Sequence, residues 1–280
     1  IINASECEPY LNSDNRLSTE KAKEIVVGIE IAMHILGVNK VFIGIEDNKG
    51  EAIKEFENEL KNKENIELAI LETKYPQGGE KQLIKAILNK QVPFGKLPLD
   101  YEVVVLNVTT AYWIYNSVIN GYPLIEEIIT VTGEAVKKPK NYRVLIGTLF
   151  QEILDETQTD RILVDRLISG GPMMGIAQYT ENIPVIKGTS GILALTKEET
   201  QKYKRSNCIS CGKCVEVCPM GLEPLLFARF AQFEKWNEIK EHNLLECIEC
   251  GSCQYVCPSN RPLVEGIRIG KAKIRSMSLK

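Results

Sequence analysis

Residues 208–219 (CISCGKCVEVCP) and 247–258 (CIECGSCQYVCP) are one motif written twice. Each reads C-x2-C-x2-C-x3-C-P, and Cys208, Cys211, Cys214 and Cys218 recur as Cys247, Cys250, Cys253 and Cys257 at a uniform offset of 39 (247 − 208). Ile209, Gly212 and Pro219 recur with them, as Ile248, Gly251 and Pro258. Three thiolates at two-residue intervals can wrap one corner of a cubane, and the fourth follows on a segment that proline turns away. This is the run of two-cluster ferredoxins, in which the fourth cysteine of each motif ligates the other cluster. By that rule one 4Fe-4S cluster takes Cys208, Cys211, Cys214 and Cys257, and the other takes Cys247, Cys250, Cys253 and Cys218. A pair of structural zinc sites is the alternative. Zinc ribbons, however, use two CxxC pairs rather than three cysteines at two-residue intervals followed by Cys-Pro.

Outside this region the chain has one further cysteine, Cys7, read as a reduced structural thiol. Eight of nine cysteines packed into one corner of a long chain point to metal ligation in a reducing compartment, not to a disulfide scaffold. Residues 224–236 (PLLFARFAQFEKW) have apolar side chains at roughly helical spacing, so the motifs are expected to be bridged mainly by helix. That bridge and the long offset are similar to the α-helical ferredoxin domains found inside larger oxidoreductases. The tail 261–280 carries six basic residues against Glu265 alone. It reads as a solvated helix face, with docking onto acidic partners or a membrane surface as the second reading.

Working toward the N-terminus, 197–205 (KEETQKYKR) is a charged linker. Residues 123–196 are rich in glycine, proline and β-branched residues with short strands, turn signals and one helix at 149–156, the pattern of a small β-rich domain. Residues 1–122 alternate helical and strand periodicity. Helices are expected at 17–36, 49–60, 79–88 and 110–119, and strands at 40–45, 66–71 and 102–108, the last being the best buried strand. Strands separated by helices of this length imply a parallel sheet with crossover helices, a Rossmann-like layer arrangement.

The 280 residues suit two or three domains, and 44% hydrophobic with 25% charged residues is ordinary globular composition. A net charge of −3 argues against a nucleic-acid binder. No apolar run approaches the roughly 20 residues that span a bilayer. The two histidines, His34 and His242, are isolated. The chain opens on Ile1 directly in strand-like sequence, so a preceding segment is expected. Two clusters suit one-electron transfer, and a Rossmann-like domain beside them should hold a two-electron partner, although no GxGxxG is present.

The segments NASECEPY (3–10), FIGIEDN (42–48), KYPQGGEKQLI (74–84), VTGEAVKKPKNYRV (131–144), GGPMMG (170–175) and GTSGILAL (188–195), followed by the two cysteine motifs, resemble the C subunit of Rnf complexes. More distantly they are similar to the FMN- and NADH-binding subunit of respiratory complex I. The resemblance implies an α/β fold in three parts: a Rossmann-like FMN/NADH domain at 1–122, a β-grasp domain of the SLBB type at 123–196, and an α-helical double-cluster ferredoxin domain at 197–280. It implies FMN, NAD(H) as substrate and two 4Fe-4S clusters, in an ion-translocating ferredoxin:NAD oxidoreductase on the cytoplasmic face of the membrane. Partners would be the other Rnf subunits, membrane subunits and a ferredoxin-like subunit included.

The resemblance also implies site residues. Asn3, Glu6 and Glu8 would line the flavin and nicotinamide, with Ser5 standing where the family has aspartate. Gly78, Gly79 and Glu80 would form a turn beside NADH, and Asn107 and Thr110 would contact the phosphate end. The family's glycine-rich flavin loop would lie before Asn3. The plainer readings are a helix-capping or salt-bridged pair for Glu6 and Glu8, a simple turn for Gly78-Gly79 and a spacer for the β-grasp segment. Two other functions share the architecture: a cobalamin reductase of a propanediol-utilisation microcompartment, and an electron-carrier scaffold without its own flavin.

Overall fold

The computed structural model describes residues 1–200 and 204–278. The expected linker at 197–205 falls partly, at 201–203, outside the described residues, as does Lys280 of the basic tail. By contacts the chain divides into two compact units, Ile1–Val92 with Lys96–Thr200, and Pro93–Gly95 with Gln201–Lys280.

The first unit opens with β1 (Ile2–Asn3), α1 (Ser13–Glu20), α2 (Ala22–Leu36), β2 (Val41–Glu46), α3 (Gly50–Leu60), β3 (Ile66–Leu71), α4 (Glu80–Leu88), β4 (Leu106–Asn107) and α5 (Val108–Ile119). The strands form one parallel sheet in the order β3-β2-β1-β4. Ile43 and Ile45 of β2, Ile25 and Ile29 of α2 and Phe56 of α3 are essentially inaccessible and share one core. α2 ends where its pattern ends, on Gly37 at φ +64, whose N–H reaches back to Met33 O. That left-handed cap is the reason for glycine there.

Two expectations are corrected. The helix at 17–36 is two helices, broken at Lys21 (φ −133°, ψ 27°), although no proline or glycine marks the break and helical spacing runs through it. The buried strand at 102–108 shrinks to Leu106–Asn107. Glu102 takes φ +56, Val103 donates back to Pro98 O, and the ladder is only Ile2↔Leu106 and Asn3↔Asn107. Val103 is buried instead in a small cluster with Ile84 and Val92, and Val108 already belongs to α5. The hydrophobicity there reported burial, not strand pairing.

The same unit continues with β5 (Glu126–Thr132), β6 (Lys140–Leu145), α6 (Phe150–Glu156), β7 (Arg166–Ser169), β8 (Ile176–Gln178) and β9 (Gly191–Leu195). These strands form a mixed sheet, β6-β5-β9-β7-β8, in which only β5 and β9 are parallel. Ile129, Val131, Phe150, Ile192 and Ala194 fill its core.

The second unit is helical: α7 (Lys213–Glu216), α8 (Pro224–Gln232), α9 (Trp236–Glu241), α10 (Ser252–Tyr255) and α11 (Leu263–Ser278). Its core gathers Phe227, Ile239, Leu244, Leu263, Ile267 and Ile274. α8 and α11 pack so closely that a Cβ on Gly266 would sit 2.9 Å from Ala228 Cα. The bridge between the motifs is mainly helical, as its spacing predicts, in two pieces. α8 stops at Gln232, Glu234 takes φ +55, and the chain turns into α9 so that Phe227 and Ile239 meet in one core.

Candidate functional site

In the first unit the expected residues gather at the C-terminal ends of the parallel strands, where open α/β sheets bind ligands. Asn3 ends β1, and its Nδ2 donates to Gly78 O at 2.9 Å while its Oδ1 accepts from Ser5 N at 3.0 Å. Ser5 Oγ donates to Gly44 O at 3.1 Å, tying the segment to β2. Gly78 N in turn donates to Cys7 Sγ at 3.4 Å, and burial raises that thiol above its ordinary range. A Cβ on Gly78 would lie 2.3 Å from Ser5 O, so this close approach requires glycine. Gly79 is the residue before α4, and Glu80, exposed, is the first residue of that helix.

Asn107 caps α5, its Oδ1 accepting from Thr109 N at 2.7 Å. Its Nδ2 donates to Asp14 Oδ2 at 2.8 Å, and Thr109 Oγ1 donates to Asp14 Oδ1 at 2.9 Å. Thr110 is exposed. Asn107 and Thr110 open on a cavity of about 630 Å³ that Asp14, Trp113, Glu127 and Lys187 also line.

The two glutamates part company. Glu6 accepts from Asp14 N and Asn15 N, both at 3.1 Å, and so caps the start of α1. Burial, with the charge of Asp14 beside it, pushes its pKa up to about 7. Glu8 accepts from Met173 N at 3.1 Å and Met174 N at 2.8 Å, and burial raises its pKa. A Cβ on Gly171 would lie 2.4 Å from Glu8 Oε2, so the GGPMMG segment is shaped around this carboxylate.

Nothing in the order of residues points to the Met173 and Met174 N–H groups, since backbone donors carry no residue signature. Asp14 had a signal that is too common to single it out: Ser13-Asp14 at the start of a helix is an ordinary N-terminal pair.

Glu127, only 7% exposed, belongs to no motif, and its place beside the cavity emerges only in the fold. Burial first, then the negative charge of Asp14, raises its pKa to about 7. A carboxyl with a raised folded pKa holds its proton longer in the folded chain than in the unfolded one, so stability falls as pH rises from about 4.5 through 7. Glu127→Gln should remove part of that fall. Melting temperatures at pH 5 and pH 8 should differ less in the variant than in the wild type, and an equal difference would remove Glu127 from the account.

In the second unit the two cysteine motifs share one backbone. Ser210 and Glu249 take φ +55 and +57, and Gly212 and Gly251 take φ +76 and +81. This folds Ser210 N onto Cys208 Sγ at 3.3 Å and Glu249 N onto Cys247 Sγ at 3.4 Å. Gly212 is needed for its dihedral, since a Cβ there would meet no protein atom within 4 Å.

Cys208, Cys211, Cys214 and Cys257 line one cavity, and Cys218, Cys247, Cys250 and Cys253 line a second, tighter one. Among the described residues no three His, Cys, Asp or Glu side chains converge where a single metal ion could sit. Four sulfurs around a cavity suit the larger body of a cluster, so the donor set fits. Cys208 and Cys211 are exposed, whereas Cys250 and Cys253 are buried. Burial, with the neighbouring sulfurs, pushes the Cys253 thiol up to about 12. The positive charge of bound iron is what would favour the thiolate there.

Residues 1–116 match the model of the Nuo51 FMN-binding domain, 128–177 the SLBB domain, and 207–261 and 175–223 two models each described as a 4Fe-4S dicluster domain. The chain is 49% identical, over 98% of its length, to the C subunit of the Na(+)-translocating ferredoxin:NAD(+) oxidoreductase complex of Acetobacterium woodii. It is 46% identical over 99% to the C subunit of the proton-translocating complex of Clostridium ljungdahlii. The chain is a homologue of these C subunits.

It spans 62% and 60% of the lengths of these two relatives. It spans 40% of the C subunit of the ion-translocating oxidoreductase complex of Yersinia enterocolitica, to which it is 43% identical over 99% of its own length. The NAD+-reducing [NiFe]-hydrogenase in the air-oxidized state shares the fold, with a TM-score of 0.64 at 14% identity over 98% of this chain and 59% of that one. Among the described residues no helix is long and apolar enough to cross a membrane.

Proposed function

We propose that this C-subunit homologue is an electron-transfer subunit of a membrane-bound, ion-translocating ferredoxin:NAD oxidoreductase, lying peripherally on the cytoplasmic face beside membrane subunits and a ferredoxin-like subunit. Its three modules are 1–122 for flavin and nicotinamide, 123–196 as a β-grasp body and 197–280 for the clusters. The observation that carries the reading is the pair of sulfur-lined cavities, each drawing three cysteines from one motif and the fourth from the other.

Bound FMN would supply the exchange between two-electron chemistry with a nicotinamide and the single electrons that iron–sulfur clusters carry. The chain's own residues hold and aim. The heads of α4 and α5, where backbone N–H groups point out of the helix, are anion-receiving ends, with the Thr109 N–H already taken by Asn107 Oδ1. With the Thr110 hydroxyl they are a donor set that fits the phosphate and ring edge of FMN. Asn3 and Gly78 fix the turn that presents α4, and Asn107 presents α5. Glu6 holds α1 and Glu8 holds the 170–175 segment, so their part is in shaping the site. Glu80, exposed at the head of α4, is the carboxylate left to orient a nicotinamide ribose or carboxamide.

The test is the cofactor content of anaerobically purified full-length protein. About eight iron and eight acid-labile sulfide should accompany FMN, the content of two cubanes. Tightly bound zinc without sulfide would end the cluster reading. In the same protein Glu80→Gln should weaken the reacting NADH complex by about 1.5–3 kcal/mol, the range for hydrogen bonds to charged groups. Stopped-flow reduction of the flavin at the wild-type rate would make Glu80 only structural.

A further inference from the structure

The two sulfur-lined cavities have the same backbone and the same ligand type, yet their surroundings differ in fixed charge. Beside the second, Lys271 of α11 is 6% exposed, and its Nζ donates to the carbonyl of Cys247 and to Glu249 Oε1 at 2.8 Å. Arg268, one turn earlier, donates from Nε to Glu249 Oε2 at 3.0 Å. Two cations and one anion leave a net charge of +1 against Cys247.

The internal repeat shows what the first cavity has instead. Thirty-nine residues back from Glu249 is Ser210, and thirty-nine back from Lys271 is Gln232, which is exposed. The first motif therefore has neither the carboxylate nor the buried ammonium; Arg268 has an exposed counterpart in Arg229, and the cations that line the first cavity, Lys213 and Arg261, come from other positions. Its cysteines Cys208 and Cys211 face solvent, whereas Cys250 and Cys253 do not.

Placing a charge near a buried redox centre has a definite sign. An electron entering a cluster changes its charge by −1, so a fixed positive charge favours the reduced form and a negative one the oxidised form. The effect is strong where water is excluded, and net charge and solvent exposure are among the terms that set cluster potentials. We infer that Lys271, with Arg268 and Glu249, is a positioning and charge-setting network that raises the reduction potential of the cluster held by Cys247, Cys250, Cys253 and Cys218, and leaves the other cluster alone. The two clusters would then be tuned by different residues, the second by a buried ion-pair network and the first by Lys213 and Arg261 at its own cavity.

The inference rests on the cluster assignment proposed above, and its test separates the two. The measurement is a dithionite-driven potentiometric titration followed by EPR, on full-length protein whose iron and sulfide have first been counted. Lys271→Met removes the cation and should make the second cluster at least tenfold harder to reduce, about 59 mV for one electron. Glu249→Gln removes the anion and should move the same cluster the opposite way. Lys271→Arg keeps the charge and should restore most of the wild-type value.

Opposite shifts confined to one cluster support the inference, because a purely structural role would not reverse sign with the sign of the removed charge. If Lys271→Met loses the second cluster, the rise expected in Glu249→Gln decides alone. Full iron and sulfide with unmoved potentials, or equal shifts in both clusters, would overturn it. Absence of clusters from the wild type would instead overturn the assignment beneath it.

Discussion

Cys218→Ala should damage the cluster whose other ligands lie some thirty to thirty-five residues downstream, at Cys247, Cys250 and Cys253, and spare the one beside it in sequence. In the fold Cys218 lines the cavity of those three cysteines, and Cys257 lines that of Cys208, Cys211 and Cys214. Leu222 N donates to Cys218 Sγ at 3.4 Å, which fixes the sulfur on that side. EPR or Mössbauer spectra of anaerobic protein should show one intact and one degraded cluster. Cys257→Ala should give the complementary pattern. Damage confined to the motif that carries the mutation would reject the crossing. The loss should be near complete for one cluster, since three thiolates leave one iron without its protein ligand.

Gly28→Ala should be among the most destabilising single changes in the first unit. Gly28 lies on the buried face of α2, where a Cβ would come within 1.9 Å of the carbonyl oxygen of Ala111 on α5. The obstacle is backbone, so no rotamer change relieves it and the two helices must separate. Overpacking of a tight core costs typically 1–3 kcal/mol and sometimes more. A loss of about 3 kcal/mol is expected, a fall in Tm of roughly 6–12 °C at this size. Gly37→Asn is the comparison. Gly37 has φ +64 with nothing within 4 Å of its missing Cβ, and asparagine tolerates that conformation. It should therefore cost a small fraction as much. Equal melting temperatures for wild type and Gly28→Ala would show that the α2–α5 crossing yields without cost.

The same residues mark what the chain's order of amino acids determined alone. The two cysteine motifs, and the 4Fe-4S domain they belong to, were legible because iron–sulfur chemistry demands cysteine and the spacing repeats without variation at an offset of 39. The helix-ending role of Gly37 was legible because a left-handed cap is a local demand that glycine meets. The strand at Val41–Glu46 was legible because both sides of the parallel sheet are covered there, which leaves an apolar run, and Ile66–Leu71 was legible as a similar run although this edge strand exposes Glu67 and Ile70.

What the tertiary structure decided are matters of partners, which no single segment specifies. Residues 103–105 are as apolar as any strand, yet their neighbours are Ile84 and Val92 rather than a ladder, and only two residues of β4 pair. Glu6 and Glu8 stand two apart in one segment, but one caps a helix and the other holds backbone N–H groups 165 residues away. Lys271 looks in sequence like one more charge of a basic tail. Folding turns it inward against Glu249 and Cys247, because α11 packs along the second cysteine motif and buries that side of the helix. Residue type announces chemistry where the chemistry is local or strict. Charge, burial and contact at a distance are set by the packing of elements, and they appear only once those elements have met.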